Sequence, residues 1–323
     1  MNLRKVLLFS ASALMASFTA QASHISGGEI LYECLGSNQY EITMNLFRDC
    51  AGIDMNPSET ITFTSPCGTA QLTVNLVQTI EVSQLCPEEI VNSTCSGGFL
   101  PGMQMYTYTG TVTLPPCDTW SMDWELCCRN AAILNLVTPD GLTTHLTATL
   151  NSNSFPCDNS PVFNNVPIPY VCLNQPITYS FGVSEGDGDS LHYELVTAMD
   201  IGGAPVPYAA GYTAVEPIPG ITIDPNSGLL QFTPTLEGNF VVAVQVTQYD
   251  SEGNVIGTVM RDIQFVVIPC TNEAPDPSTG VATNVSGTAT LTGNYSGEMC
   301  ETDDFCFDFT IVDPDAIDTL NLI

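Results

Sequence analysis

The side chains best placed for chemistry in this chain are carboxylates. Glu185, Asp187 and Asp189 alternate within SEGDGDS, a spacing that sets three hard oxygen donors on one side of an extended loop. Calcium takes about six to eight such oxygens in loose geometry, and the backbone around Gly186 and Gly188 is free to supply carbonyls for the rest. No lysine lies nearby to neutralise the cluster, so a bound cation would relieve its mutual repulsion. Calcium is therefore the expected cofactor, against the plainer reading of a solvated acidic turn. A weaker copy of the same pattern, Asp313, Asp315 and Asp318, stands near the end of the chain and carries the same expectation.

Other chemistry is poorly represented. There is no GxSxG elbow, no glycine-rich phosphate loop and no HExxH, which removes the common hydrolase, nucleotide and zinc-protease patterns. Only three histidines are present, His24, His145 and His192. A copper site built on His24 would require cleavage directly after Ser23 to expose it as the N-terminal residue. Adjacent Cys127 and Cys128 lack the CxxC spacing of a zinc site and are expected in disulfides, each with a different partner, because neighbours in a strand point to opposite faces. The chain is expected not to be an enzyme.

The elements that must position the carboxylates are strands. Ile177, Tyr179, Phe181 and Val183 alternate with smaller or polar residues before the acidic turn, and Phe305, Phe307, Phe309 and Ile311 do the same before its copy, the period of a half-buried strand. Upstream, Pro156-Cys157-Asp158-Asn159 reappears as Pro269-Cys270-Thr271-Asn272, each followed by a further cysteine, Cys172 or Cys300. The order of shared marks predicts a repeated domain, with Cys157 joined to Cys172 and Cys270 to Cys300. Turns are expected at Gly186 to Asp189, Asp224 to Gly228 and Asp250 to Asn254. In Trp120 to Cys128, both tryptophans fall on one face with Met122. No helical period is visible, and the expected fold class is all-β.

Residues 1–22, with Arg4, Lys5, a short apolar run and Ala20-Gln21-Ala22, fit a secretory signal peptide. The expected division then runs 23–158, a cysteine-rich β domain; 159–269, an immunoglobulin-like β-sandwich; and 270–323, the start of a further such repeat that continues beyond Ile323. Thirteen cysteines in an exported chain predict a disulfide framework; eight of them, Cys34 to Cys128, lie in the first region with their pairing open. Cys306 is left over. The formal net charge is −30, from 35 acidic and five basic residues, and removal of the leader takes Arg4 and Lys5. That balance excludes nucleic acid and anionic membranes as partners. Arg48 and Arg129, each beside a cysteine, are expected to be structural ion-pair partners.

The stretches SHISGGEILYECLGSNQYEITMNLFRDC, QLCPEE and WSMDWELCCRN resemble the N-terminal region of large secreted, gliding-motility-associated surface proteins of Bacteroidetes. PGITIDPNSGLLQFTPTLEGNFVVAVQVTQYD resembles the cadherin-like, putative-Ig repeats of such proteins and of many bacterial adhesins. The resemblance implies a secreted or outer-surface protein that acts in adhesion or gliding-associated contact, exported by type IX secretion, with a cell-surface glycan, a protein or an abiotic surface as partner. Asp189-Ser190-Leu191 and Asp318-Thr319-Leu320 resemble the O-glycosylation acceptor of that phylum, which would place glycans on Ser190 and Thr319. The alternative function is a secreted carbohydrate-binding or carbohydrate-active protein.

Overall fold

The computed structural model describes residues 25–85, 88–167 and 170–270, together with short strands at 283–287, 290–291, 297–298 and 305–308. The readings made for the leader, His24, Cys86, Cys300, Asp313, Asp315, Asp318 and Thr319 lie outside the described residues.

The described chain is all-β. Seven strands come first: β1 (Ile25–Gly36), β2 (Gln39–Asp49), β3 (Ser58–Ser65), β4 (Gly68–Glu81), β5 (Met103–Thr113), β6 (Trp120–Cys127) and β7 (Thr143–Leu150). Short strands follow: β8 (Val162–Phe163), β9 (Tyr170–Cys172), β10 (Ile177–Ser180), β11 (Val183–Ser184), β12 (Ser190–Val196), β13 (Met199–Asp200), β14 (Ala204–Pro205), β15 (Thr222–Ile223) and β16 (Leu229–Phe232). Two long strands, β17 (Gly238–Tyr249) and β18 (Val255–Ile268), close the region. The expected turns at Gly186 to Asp189, Asp224 to Gly228 and Asp250 to Asn254 all lie between strands.

Strands β1, β2, β5, β4, β3, β6 and β7 pair in that order, and both ends of the series return to β18, so eight antiparallel strands close a barrel-like ring. Strand β18 makes this possible by its length. One edge pairs with β17 from Val255 to Val267, while the other takes β7 at Gly257 to Val259, β1 at Arg261 to Ile263 and β9 at Val266 to Ile268. Gly27 is required at the β1 crossing: its φ is +145°, and a Cβ there would lie 2.0 Å from the carbonyl oxygen of Asp262. The sheet thus runs continuously across the boundary expected near residue 158.

Inward alternation fills the ring with Ile30, Ile42, Met44, Phe63, Trp120 and Trp124, all nearly inaccessible. Strand β17 departs from simple alternation and is buried on both faces, because Phe240, Val242 and Val244 join the main core while Val241 and Ala243 pack with Ile133, Leu136 and Met260 in a second one. The sheet of β10, β16 and β15 packs on the main core, with Phe232 edge-on to Phe265 at 5.2 Å.

Two buried ion pairs fix β18 in place. Arg261 bonds Glu29 of β1 and lies 3.8 Å over the Phe163 ring; Arg129 bonds Asp262 at 2.7 Å and also donates to the Thr143 and Met199 carbonyls. Arg48 donates to the Ile53 and Gly52 carbonyls and pairs with Asp54 at 3.1 Å. All three arginines are buried, so among the described residues no cationic Lys or Arg head is exposed.

The cysteine pairing corrects the expectation. Cys157 is joined to Cys34, and Cys172 to Cys270, in place of Cys157 with Cys172 and Cys270 with Cys300. The reason is strand pairing. Parallel β9 sets Cys172 beside Ile268, two residues before Cys270, and the Cα atoms stand 5.4 Å apart, within disulfide reach. Cys50 pairs with Cys95 and Cys67 with Cys117. Cys127 and Cys128 pair with each other, against the expectation of separate partners; β6 ends at Cys127, so the alternation that would point them apart does not extend to Cys128. Cys306 is exposed and has no disulfide partner among the described residues.

Candidate cation site at the junction of the two β regions

The segment 157–160, between β7 and β8, is stitched on several sides. Cys157 is bonded to Cys34. The Asn159 side-chain oxygen accepts from the Cys34 amide at 2.8 Å, Ser160 exchanges hydrogen bonds with the Tyr32 backbone, and Gln248 on β17 donates to the Asn159 carbonyl at 2.9 Å. Asp158 is thereby held inside the junction with 8% of its surface exposed.

The acidic turn meets it there. Carboxylate oxygens of Asp158, Asp187 and Asp189 all lie within 4.8 Å of one another. Asp187 is oriented by Asn159, whose amide N–H and side-chain NH2 donate to it at 2.9 Å. Oδ2 of Asp158 and Oδ2 of Asp189 are both buried without a hydrogen-bond partner. Burial, then the neighbouring Asp189 and Asp187 charges, push the Asp158 carboxyl up to about 8; burial and the Glu185 charge raise Asp189 as well. Like charges crowded out of water favour the protonated form, and a divalent cation is the other way to relieve them.

Glu185 does a different job. Its two carboxylate oxygens accept the backbone N–H groups of Asp187, Gly188 and Asp189 at 2.6–2.8 Å, which closes the turn; Gly188 sits at φ +90° to allow it. The structure therefore brings Asp187 and Asp189 together as expected from sequence, turns Glu185 toward the backbone, and adds Asp158. Sequence reading missed Asp158 although it noticed the motif containing it, because the second copy has Thr271 at that position. Ser190, the expected glycan acceptor, is exposed and donates its hydroxyl to the Tyr249 carbonyl at 3.2 Å.

An all-carboxylate set suits a hard cation and offers neither the imidazole nor the thiolate that zinc or copper prefers. No protein-family model matches the chain, and no curated protein matches it.

Proposed function

We propose that this is a non-enzymatic secreted or outer-surface protein acting in adhesion or gliding-associated contact, and that calcium held by Asp158, Asp187 and Asp189 stiffens the junction between its two β regions. Asp158 carries the reading: a carboxylate more than nine-tenths buried, with an unpartnered oxygen facing two others. Calcium accepts such carboxylates and fills the rest of its shell with carbonyls and water. The second β region is read as an immunoglobulin-like, cadherin-like sandwich, one module of a longer series delivered by type IX secretion, with Ser190 as a glycan acceptor. The burial of every described arginine supports a partner that is neither nucleic acid nor an anionic membrane.

The test is thermal melting of the mature chain in millimolar calcium and in chelator. Calcium raises the melting temperature of the unsubstituted protein and of Glu185→Gln, and leaves Asp158→Asn unmoved. An unsubstituted protein indifferent to calcium removes the site. Deletion of the gene reduces surface attachment and spreading while polymer degradation continues; unchanged attachment removes the adhesive role.

A further inference from the structure

The outer face of β3, β6 and β7 forms a trough of about 810 Å³, within the range of about 300 to 1,000 Å³ usual for ligand sites. The loop around Gly202 and Gly203 closes one end, and Gln245 and Thr258 of β17 and β18 contribute to the walls. The cross-strand register builds its floor. Thr64, Ser121, Thr149 and Thr258 stand in one row across four strands, and Thr62, Asp123 and Thr147 in the next. Half of the lining residues, Ser121 and six threonines, carry a hydroxyl able both to donate and to accept.

The charged groups in this trough are already in contact with one another. His145, 3% exposed, lies between two carboxylates, Nδ1 at 2.9 Å from Glu125 and Nε2 at 3.1 Å from Asp123. Both ring nitrogens face carboxylate acceptors, the arrangement of an imidazolium. Glu125 also accepts the Gly202 amide, and Asp123 accepts the Ser121 hydroxyl at 2.7 Å. The lining is therefore held in position before any ligand arrives.

Elimination narrows the ligand. An apolar molecule finds only Met199 to pack against. An anion finds no lysine or arginine, and the one cation present is already shared by two carboxylates. A metal ion finds the imidazolium standing between the carboxylates that would hold it. A neutral, hydroxyl-rich molecule matches what remains: Ser121 and Thr147 bond Asp123, and Thr149 and Thr258 bond each other at 2.8 Å, so these hydroxyls meet a ligand's hydroxyls with their remaining lone pairs.

We propose that the trough is a binding site for a neutral saccharide, recognised through hydroxyl hydrogen bonds. The site goes beyond the calcium junction and does not depend on it. No Phe, Tyr or Trp lines the trough, so stacking on such a ring contributes nothing, single-site affinity is weak, and useful attachment comes from many copies engaging one polymer.

The experiment titrates the mature, calcium-loaded chain with neutral gluco-, manno-, galacto- and xylo-oligosaccharides at millimolar concentration, following backbone amide NMR shifts. At least one series produces saturable shifts confined to β3, β6, β7 and the Gly202 loop. Thr147→Val with Thr149→Val, which removes two hydroxyls while keeping shape on an outward face, weakens that binding by about tenfold; Ser121→Ala serves as a second variant should the first pair fail to fold. Sulfated and uronic oligosaccharides bind more weakly than neutral ones. The proposal is overturned by the absence of saturable shifts with every neutral series, by undiminished binding in the folded variants, or by a preference for the charged sugars. An unsubstituted chain that binds no neutral saccharide yet keeps its calcium shift breaks this proposal and leaves the junction intact.

Discussion

The junction and the trough use the same residue type to opposite ends. At the junction, Asp158, Asp187 and Asp189 face one another with no cationic side chain among them, whereas in the trough Asp123 and Glu125 face His145. The consequence is visible in their proton affinities. Asp158 is pushed up to about 8 by burial and its neighbours; Asp123 is lowered, because hydrogen bonds from His145, Ser121 and Thr147 outweigh the cost of its burial. A carboxylate cluster is a cation site only where the fold leaves the counter-charge out.

The comparison breaks most severely if the junction is unstapled. Replacing Cys34 and Cys157 by serine opens a loop of 123 residues and lowers stability by about 5 kcal/mol on the chain-entropy account. Denaturant unfolding measures this. Saccharide binding at the trough persists in whatever fraction stays folded, whereas the calcium response diminishes, since Asp158 adjoins the lost bond.

Next in size is the cation itself. Calcium at a hundredfold excess over its Kd stabilises the chain by about 2.7 kcal/mol. Asp158→Asn abolishes that increment and raises the melting temperature in chelator, because the amide is neutral in both states and folding no longer has to protonate a carboxylate there. A variant that melts lower in chelator than the unsubstituted chain contradicts the picture of repulsion.

In the trough the same logic runs in reverse. Removing the counter-charge by His145→Gln leaves the carboxylates short of donors and costs roughly 1 to 3 kcal/mol, with no calcium dependence. Gain of a calcium response in that variant would show that the imidazolium alone keeps the trough from acting as a cation site.

The smallest effects are those of pH, and calcium separates them. Burial lowers the His145 pKa, but the hydrogen bonds to Asp123 and Glu125 outweigh it and the net shift is upward. Its contribution is thus complete below its unfolded value of about 6.5 and is lost as pH rises through the higher folded value. For Asp158 the folded form holds its proton up to about 8 and the unfolded form only to about 4. In chelator, stability therefore falls with rising pH across that window. Calcium cancels the Asp158 decline and leaves the His145 decline in place, which melting curves across the range in both conditions resolve.

Much of this protein is written locally. Alternation in Trp120 to Leu126 marks a strand and its inward face, because the side-chain period of a strand is set by the backbone itself, whereas the alternation expected as one strand through Phe181 is split there between β10 and β11, which pair with β16 and β8. Turn residues mark the hairpin at Asp250 to Asn254, and the spacing of Asp187 and Asp189 places them on one turn. The structural role of Arg129 is also legible, since an acidic chain with three arginines beyond its leader has ion pairs to spare. What the local pattern does not contain is which distant segments meet. Strand β18 reads as one more hairpin arm, yet its second edge receives β7, β1 and β9 in turn, and that pairing joins Cys172 to Cys270 and closes the ring. Glu185 and Asp158 show the same limit at a single site. Spacing placed Glu185 among the ligands, but side-chain direction turned it onto its own turn's amides, and a staple to Cys34 carried Asp158 into the vacated role. Local periodicity follows from backbone geometry within a few residues, whereas side-chain partners depend on packing between segments more than a hundred residues apart, and only the folded chain settles those.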